Sequence, residues 1–155
     1  MPLGTPPQKI NPTSLNDYLE VMSKAVFQSG MSWRVVDAKW AGTREAFHKF
    51  DVHQVANLNE HDLELLSNDR RVIRNTRKLA AVVQNARTMI DLERQHGSFQ
   101  NYLRSQADFN SVLTALCRDF KFMGPTGCYY FLYVVGEQVP PHDEFEEKYR
   151  KNTKK

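Results

Sequence analysis

A short stretch at residues 120–131, FKFMGPTGCYYF, contains the residue types best suited to holding a phosphate. Its Gly-Pro-Thr-Gly turn lies between two segments with a helical spacing of apolar residues, and backbone N–H groups left free at a helix start can bind a phosphate. Pro125 suits the first turn of the second helix, because a proline there loses no bonded N–H. The same turn is also an ordinary connection between two helices, and the turn alone does not decide between the two interpretations.

The composition predicts a single globular domain. The chain has 155 residues, of which 41% are hydrophobic and 25% charged, enough to bury a core. No apolar run approaches the ~20 residues that span a bilayer, and the N-terminus lacks the pattern of a signal peptide. We therefore expect a cytoplasmic monomer without membrane contact. The net charge of +3 permits nucleic-acid binding without arguing for it.

The two cysteines, Cys117 and Cys128, both lie in apolar surroundings. They are too few for a disulfide framework or for a metal site with four cysteine ligands. Buried free thiols are the prediction, as is usual for cysteine in a reducing compartment. We expect no cofactor.

The fold that must position the turn is predicted to be all-α. Four of the seven prolines lie in residues 1–12, which we expect to form an extended leader. A helix starts at Thr13 or Ser14, and Gly30 ends it. Residues 13–146 form the predicted helical domain, and residues 147–155 form a basic tail that we expect to be disordered.

Further along the chain, capping residues mark the remaining helices. Ser32 caps a second helix, and Gly42-Thr43 is predicted to break it. Asp51 and Asn59 cap two short helices. The longest helix runs from about residue 75 to residue 96, a short one follows Ser98, and two more, at about 111–119 and 125–136, flank the quoted turn. No segment alternates with the period of a strand.

Four stretches in order carry a family resemblance. They are SGMSWRVV at 29–36, FHKFDVHQVANLNEHDLELLSNDRRVIRN at 47–75, VIRNTRKLAAVVQNAR at 72–87 and FKFMGPTGCYYFLYVVG at 120–136. Together they resemble the DNA-3-methyladenine glycosylase I family, whose members are helix-hairpin-helix DNA glycosylases. The resemblance covers about residues 15–142. It implies a single-domain helical bundle that flips a damaged base out of duplex DNA and hydrolyses its N-glycosidic bond.

The resemblance assigns DNA contacts to two of these stretches. The quoted turn becomes the hairpin, in which Met123, Gly124, Pro125 and Thr126 hold a DNA phosphate. Phosphate contacts of this kind position a protein but carry no sequence information. Three residues of the Ile-Arg-Asn-x-x-Lys pattern, Arg74, Asn75 and Lys78, contact the DNA backbone or cap a helix, and capping is favoured for Asn75. The neighbouring aromatic residues are expected to be mostly core.

A base pocket and a wedge are implied by the stretch around Gly-Met-Ser-Trp. Trp33, with Ala25 and Gln28, would line the pocket, since an electron-poor alkylated base is held well against an electron-rich ring. Gly30 and Met31 would form the wedge that fills the gap left by the flipped base. The alternative for both Trp33 and Met31 is a side chain packed between helices.

The sequence departs from the family in its polar residues. Ala25 stands where the family carries a pocket glutamate. The leader has no counterpart of the family's N-terminal segment, which supplies an aromatic pocket wall and two zinc ligands. His142 remains at a third ligand position, but Glu146 replaces the cysteine that would follow. One histidine is not a zinc site, so we predict no metal and a surface position for His142.

A catalytic carboxylate is implied by the wider superfamily. Gly136, Pro140 and Asp143 are spaced as G-x-x-x-P-x-x-D after the hairpin helix, where relatives place a catalytic aspartate. Such a carboxylate stabilises the developing positive charge on the sugar. Asp143 in its acidic run is alternatively a solvated surface residue. If Asp143 is not the acid, then Asp17, Glu20 or Asp37 must reach the pocket.

Three hypotheses of function follow. The first is a monofunctional DNA N-glycosylase for alkylated purines, because Thr126 and Gly127 stand where lyase-type relatives keep a lysine as amine nucleophile. The second is a binding module that retains the fold and the hairpin without catalysis. The third is a helical protein-interaction domain, which would require that the hairpin face is not basic.

Overall fold

The computed structural model describes residues 6–153, with side chains described up to residue 149. All regular structure in this part of the chain is helical, as predicted. None of its helices has the length and apolar character needed to cross a membrane. The helices are α1 Leu15–Gln28, α2 Trp33–Ala46, α3 Val52–Ala56, α4 Glu60–Ser67, α5 Thr76–His96, α6 Phe99–Arg104, α7 Phe109–Asp119, α8 Pro125–Val134 and α9 His142–Thr153.

The core forms around α1 and α5. Helix α5 packs against α1, α3, α4 and α6, while α1 also packs against α8. The apolar residues along one face of α1 are buried, with Leu19, Met22 and Val26 fully enclosed. Each such side chain contributes about 1.5–3 kcal/mol by leaving water. Because α1 touches both α5 and α8, it fixes the position of the hairpin helix relative to the longest helix.

Capping residues define most helix boundaries as predicted. The side chain of Asn75 accepts a hydrogen bond from the backbone N–H of Lys78 at the start of α5, and Gly97 ends that helix at φ +86°. Asn59 and Asp62 form a reciprocal capping box at α4. At α1 the predicted hydroxyl cap is not used. Instead Asp17 accepts hydrogen bonds from the backbone N–H and the hydroxyl of Thr13.

The break predicted at Gly42-Thr43 is wrong, because α2 continues through both residues. The glycine is needed for close packing rather than for a turn: a Cβ at position 42 would lie 3.1 Å from the Cβ of Arg71. The hydroxyl of Thr43 donates to the carbonyl of Lys39 one turn earlier. The chain turns later, at residues 48–50, where three successive residues have φ near +56°.

Both ends of the chain pack more closely than the sequence indicates. In the leader, the backbone N–H of Ile10 donates to the carbonyl of Val134 at 2.8 Å, and the ammonium of Lys9 lies 4.7 Å from the ring centre of Tyr133. Helix α9 was not predicted, and the boundary expected after residue 146 falls inside it. The expected disorder of the tail is therefore wrong for residues 147–153, and residues 154–155 lie outside the described chain.

Candidate nucleic-acid interface and base pocket

The hairpin between α7 and α8 is held in place by one buried side chain. The Asn85 amide, 1% exposed, donates to the carbonyl of Lys121 at 3.1 Å and accepts from the N–H of the same residue at 2.8 Å. The next residue, Phe122, has φ +57° and is 41% exposed. The Asn85 amide therefore satisfies the backbone N–H and C=O of Lys121, which have no partner in a helix or strand. The sequence analysis did not identify Asn85 as part of the interface.

The hairpin turn leaves backbone donors exposed at the start of α8. Gly124 occupies the N-cap position without any side-chain hydrogen bond, and Pro125 is in the first turn as predicted. Gly124, Pro125 and Thr126 are exposed, whereas Met123 is buried and contributes only its backbone. No atom lies within 4 Å of a Cβ built at position 124, so this side of the turn is open. An open helix start with uncapped N–H groups can accept an anion.

Two cations flank this turn that the sequence analysis did not single out. Arg77 in the first turn of α5 and Lys121 before the turn line one shallow groove of about 340 Å³, together with Gln84 and Phe122. Arg74, predicted to contact the DNA backbone, is exposed at the entry to α5. Arg77 and Lys121 are basic residues close in sequence to residues that were predicted to contact DNA. This proximity is the signal that could have identified them. The hairpin face is therefore basic, which argues against the protein-interaction hypothesis.

The structure corrects the prediction for Lys78. Its side chain is only 4% exposed, and its ammonium donates to the backbone carbonyls of Phe27, at 3.1 Å, and Ser29. These carbonyls lie at the C-terminal end of α1, where a cation is favoured by the helix dipole. Burial lowers the pKa of the Lys78 ammonium. Lys78 therefore caps α1 and holds the following turn, rather than meeting a phosphate.

That turn carries the predicted wedge. Gly30 has φ +71° and is exposed, with no atom within 4 Å of a Cβ built there. The N–H of Met31 donates to the carbonyl of Gln28, and the Met31 side chain is half-buried against the core. A glycine adopts this left-handed conformation without the strain that a side chain would bring. The turn projects from the end of α1, as a wedge must, but part of Met31 is engaged in packing.

An open cleft of about 1070 Å³ lies beside the wedge turn. We call it the Trp33 cleft. Its walls come from α1, α2, α8 and the leader, and its lining includes Pro7, Gln8, Asp17, Glu20, Lys24, Gln28, Trp33, Asp37, Trp40 and Tyr130. Trp33 meets the Tyr130 ring edge-to-face at 5.3 Å between ring centres. A smaller apolar cavity of about 70 Å³ adjoins Trp33 and extends to Thr126 of the hairpin.

Two buried polar groups face each other in the Trp33 cleft. Burial, and then the charge of Asp37, raises the pKa of Tyr130 to about 12, while a hydrogen bond with Gln28 acts in the opposite direction. Gln28 is 5% exposed, yet its Oε1 has no hydrogen-bond partner within the described part of the chain. A buried acceptor without a partner costs roughly 1–3 kcal/mol. Gln28 therefore holds an enclosed acceptor oxygen without a partner among the described residues, next to an aromatic pair.

Ala25, the third residue predicted for the pocket, lies deeper than Gln28 and Trp33. It is 2% exposed, and its Cβ is 3.8 Å from a Cβ built at Gly127 in the first turn of α8. Ala25 is not among the residues that line the Trp33 cleft. Its small size instead permits the close approach of α1 to the hairpin helix.

Three carboxylates line the Trp33 cleft, and all three were named as alternatives to Asp143. Glu20 accepts hydrogen bonds from the Trp40 indole at 3.0 Å and from Arg44 at 3.2 Å. Asp37 pairs with Lys24 at 2.8 Å and is 60% exposed. The Asp17 carboxylate already accepts two hydrogen bonds from Thr13 at the start of α1. Both oxygens of Glu20 thus have fixed partners, while Asp37 is bound through one oxygen only.

Asp143 lies in the first turn of α9 and is exposed. It does not line the Trp33 cleft, although the preceding His142 lines the adjoining small cavity with Trp33 and Thr126. Its charge reaches α8, where, after burial and Tyr133, it raises the pKa of Tyr129. Asp143 therefore lies near the hairpin helix, with its side chain in solvent.

Residues 6–153 contain no set of ligands for the zinc site that the family resemblance implies. No group of three histidine, cysteine, aspartate or glutamate side chains comes together there as a metal site would require. His142 instead pairs with Glu146 one turn later, at 3.8 Å. The residues present do not fit a structural zinc.

The fold is a single-domain helical bundle with an open cleft beside its hairpin, and comparisons with known proteins specify the family. Residues 12–118 match the methyladenine glycosylase family. The DNA-3-methyladenine glycosylase 1 of Escherichia coli (strain K12) is 30% identical over 130 residues, covering 70% of each chain. The DNA-3-methyladenine glycosylase of Haemophilus influenzae is 31% identical over 130 residues, again covering 70% of each chain. This chain belongs to the methyladenine glycosylase family.

Solved structures agree in fold. A crystal structure of 3-methyladenine DNA glycosylase I matches with a TM-score of 0.71 and 28% identity, covering 82% of this chain and 81% of that one. The enzyme from Staphylococcus aureus matches with a TM-score of 0.72 at 21% identity, covering 83% and 80%, and this likeness concerns the fold alone. The predicted single-domain glycosylase-like bundle is confirmed.

Proposed function

We propose that this chain binds duplex DNA with a damaged base and hydrolyses the N-glycosidic bond of a flipped alkylated purine such as 3-methyladenine. One observation supports this above the others. The Trp33 cleft is lined by the half-buried Trp33, by Gln28 and by Tyr130 of the hairpin helix, and Ser32 in its wall directly follows the Gly30-Met31 turn. A base pocket, a wedge and a phosphate site are the parts that base flipping needs.

In this proposal the hairpin positions the DNA. The N–H groups at the start of α8 hold a phosphate, with Arg74, Arg77 and Lys121 adding charge around it. Met31 enters the stack as the base leaves, while the carbonyls bound by Lys78 keep its turn in place. Such contacts read the backbone and not the sequence, as a repair glycosylase requires.

The flipped base would lie against Trp33, with its polar edge toward Gln28. A ring alkylated at nitrogen is electron-poor, so the face or edge of an indole stabilises it. The Gln28 side chain would turn toward the base, so that its Oε1 accepts an N–H of the base in place of the partner that it lacks within the described chain. The leader, with Pro7 and Gln8 in the cleft wall, would occupy the place of the family's missing N-terminal segment.

For the carboxylate that stabilises the sugar cation we propose Asp143, with Asp37 as the alternative inside the cleft. An alkylated base departs as a neutral leaving group, so the demand on an acid is small, and the carboxylate acts on the sugar and the attacking water. Neither Thr126 nor Gly127 directly after the turn is a lysine, so the reaction would be monofunctional hydrolysis.

The experiment is single-turnover base release from duplex DNA that carries N-methylated purines. We expect release of 3-methyladenine by the full-length protein. Asp143→Asn should slow it roughly a hundredfold, with DNA affinity unchanged or slightly tighter because a negative charge near phosphates is removed. Glu144→Gln, an exposed change in the same turn of α9, is the matched control and should leave the rate unchanged.

The outcomes separate the alternatives. A large loss in Asp37→Asn instead of Asp143→Asn would move the carboxylate role into the Trp33 cleft. If the wild-type protein binds duplex DNA but releases no alkylated base, the non-catalytic binding module is the better account, and Ala25 in place of the family's glutamate is then its physical reason.

A further inference from the structure

The two cysteines lie on the two helices that the hairpin connects. Cys117 is in the last turns of α7, Cys128 is in the first turn of α8, and their Sγ atoms are 3.6 Å apart. Cys128 is completely buried, as expected. Cys117 is half-buried, so the expectation of a buried thiol holds for it only in part. Two thiols in van der Waals contact, one of them open to solvent, have the arrangement from which a disulfide forms without a change of fold.

The surroundings of the two thiols shift their pKa values in opposite directions. The hydrogen bond from Cys128, opposed by burial, lowers the pKa of Cys117 to about 7. The same hydrogen bond and burial raise the pKa of Cys128. A thiolate is the nucleophile toward oxidants, so Cys117 is the thiol that reacts first, and Cys128 is the one positioned to resolve the product.

We propose that Cys117 and Cys128 form a reversible thiol-oxidation site that a hydroperoxide closes to a disulfide across the two helices of the hairpin. The Cys117 thiolate attacks the distal oxygen of hydrogen peroxide, which breaks the O–O bond, forms a sulfenic acid on Cys117 and releases hydroxide. The Cys128 sulfur then attacks the Cys117 sulfur, and its proton leaves with the sulfenic oxygen as water. The two thiols lose two electrons in total, and the peroxide is reduced to two waters.

Closure would act on the hairpin because of where Cys128 lies. Its backbone N–H donates to the carbonyl of Gly124 at 2.9 Å, the first hydrogen bond of α8. A disulfide requires the sulfurs to approach from 3.6 Å to about 2.05 Å, and the part of this approach that side-chain rotation does not supply would shift the first turn of α8 relative to α7. The N–H groups of that turn are the ones proposed to hold the phosphate. Oxidation should therefore weaken DNA binding, a consequence that rests on the proposed function.

The test treats the reduced full-length protein with hydrogen peroxide, alkylates the remaining thiols and maps tryptic peptides. Trypsin cuts after Arg118 and Lys121, so a bridge would join peptide 105–118 to peptide 122–148. We expect this linked pair, reversed by dithiothreitol. Cys117→Ser should leave Cys128 free to be alkylated after the same exposure, and Cys128→Ser should leave a sulfenic acid on Cys117 that dimedone traps.

Two results would overturn the site. One is the absence of the linked pair in the wild-type protein, with oxidation confined to methionine or to bridges between molecules. The other is oxidation of Cys128 in Cys117→Ser at the wild-type rate. Affinity for duplex DNA tests the coupling to the hairpin. Oxidation of the wild type should lower this affinity about tenfold, as on loss of one charge-assisted hydrogen bond. A Cys117→Ser, Cys128→Ser double variant should show no such change. Unchanged affinity of the bridged protein would refute the coupling, while a reduced protein that binds no DNA would refute the proposed function itself.

Discussion

Replacing Asn85 by alanine tests whether one buried amide holds the hairpin. The substitution removes both hydrogen bonds to the backbone of Lys121 at a position that is 1% exposed. Each backbone group that loses its partner in a partly buried position costs about 1–2 kcal/mol. We therefore expect the free energy of unfolding to fall by about 2–4 kcal/mol, which corresponds to a Tm lower by about 5–12 °C for a chain of this size.

Urea denaturation of the wild type and the Asn85→Ala variant measures this difference, and fluorescence anisotropy with a labelled duplex measures DNA binding. Because the loop loses its fixed position, we expect affinity to fall by about tenfold at constant salt. Asn110→Ala is the matched control. Asn110 is exposed, and its amide oxygen accepts only from the Lys148 ammonium, so the change should lie within about 0.5 kcal/mol. A loss below about 1 kcal/mol in Asn85→Ala, or a loss of stability with unchanged affinity, would refute the reasoning.

Three further predictions concern the hairpin, acid stability and metal. Gly124→Asp should keep the fold, since φ there is −91° and the site of its Cβ is open, but should weaken duplex binding about tenfold or more; equal affinity would argue against a phosphate site. Arg118 and then Tyr102 hold the pKa of Asp119 below its usual value, so its stabilisation is present above about pH 4 and is lost as the pH falls further. In urea melts Asp119→Asn should be less stable than wild type at pH 7, with the difference shrinking toward pH 2; a difference independent of pH would contradict this. A chelator should leave the Tm unchanged, and a drop of several degrees would show a structural metal.

The fold was largely predictable from the sequence, because helix boundaries depend on local signals. Asn75, Asn59 and Asp51 cap their helices as expected, since a short polar side chain satisfies the free N–H groups of its own first turn. The failures have non-local causes. Gly42 reads as a break, yet the close approach of Arg71 requires a glycine there, and no pattern near residue 42 contains that information.

The candidate site was predictable in part. Trp33 and Gln28 line one cleft, whereas Ala25, predicted for the same pocket, lies deeper between α1 and α8. Lys78 was assigned to DNA because it follows Arg74 in one motif. Its burial depends on how α5 packs on α1, which the motif does not specify.

The sequence by itself determined most of the helices, several of their caps, the hairpin turn and the family to which the chain belongs, because these follow from the chemistry of neighbouring residues. The tertiary structure decided which side chains meet. Asn85 reaches the hairpin from a helix 36 residues away, Cys117 and Cys128 face each other across the turn, and the leader closes one wall of the Trp33 cleft. The physical reason is that each of these contacts depends on the angle and distance between packed helices, which the whole core sets and no single segment encodes.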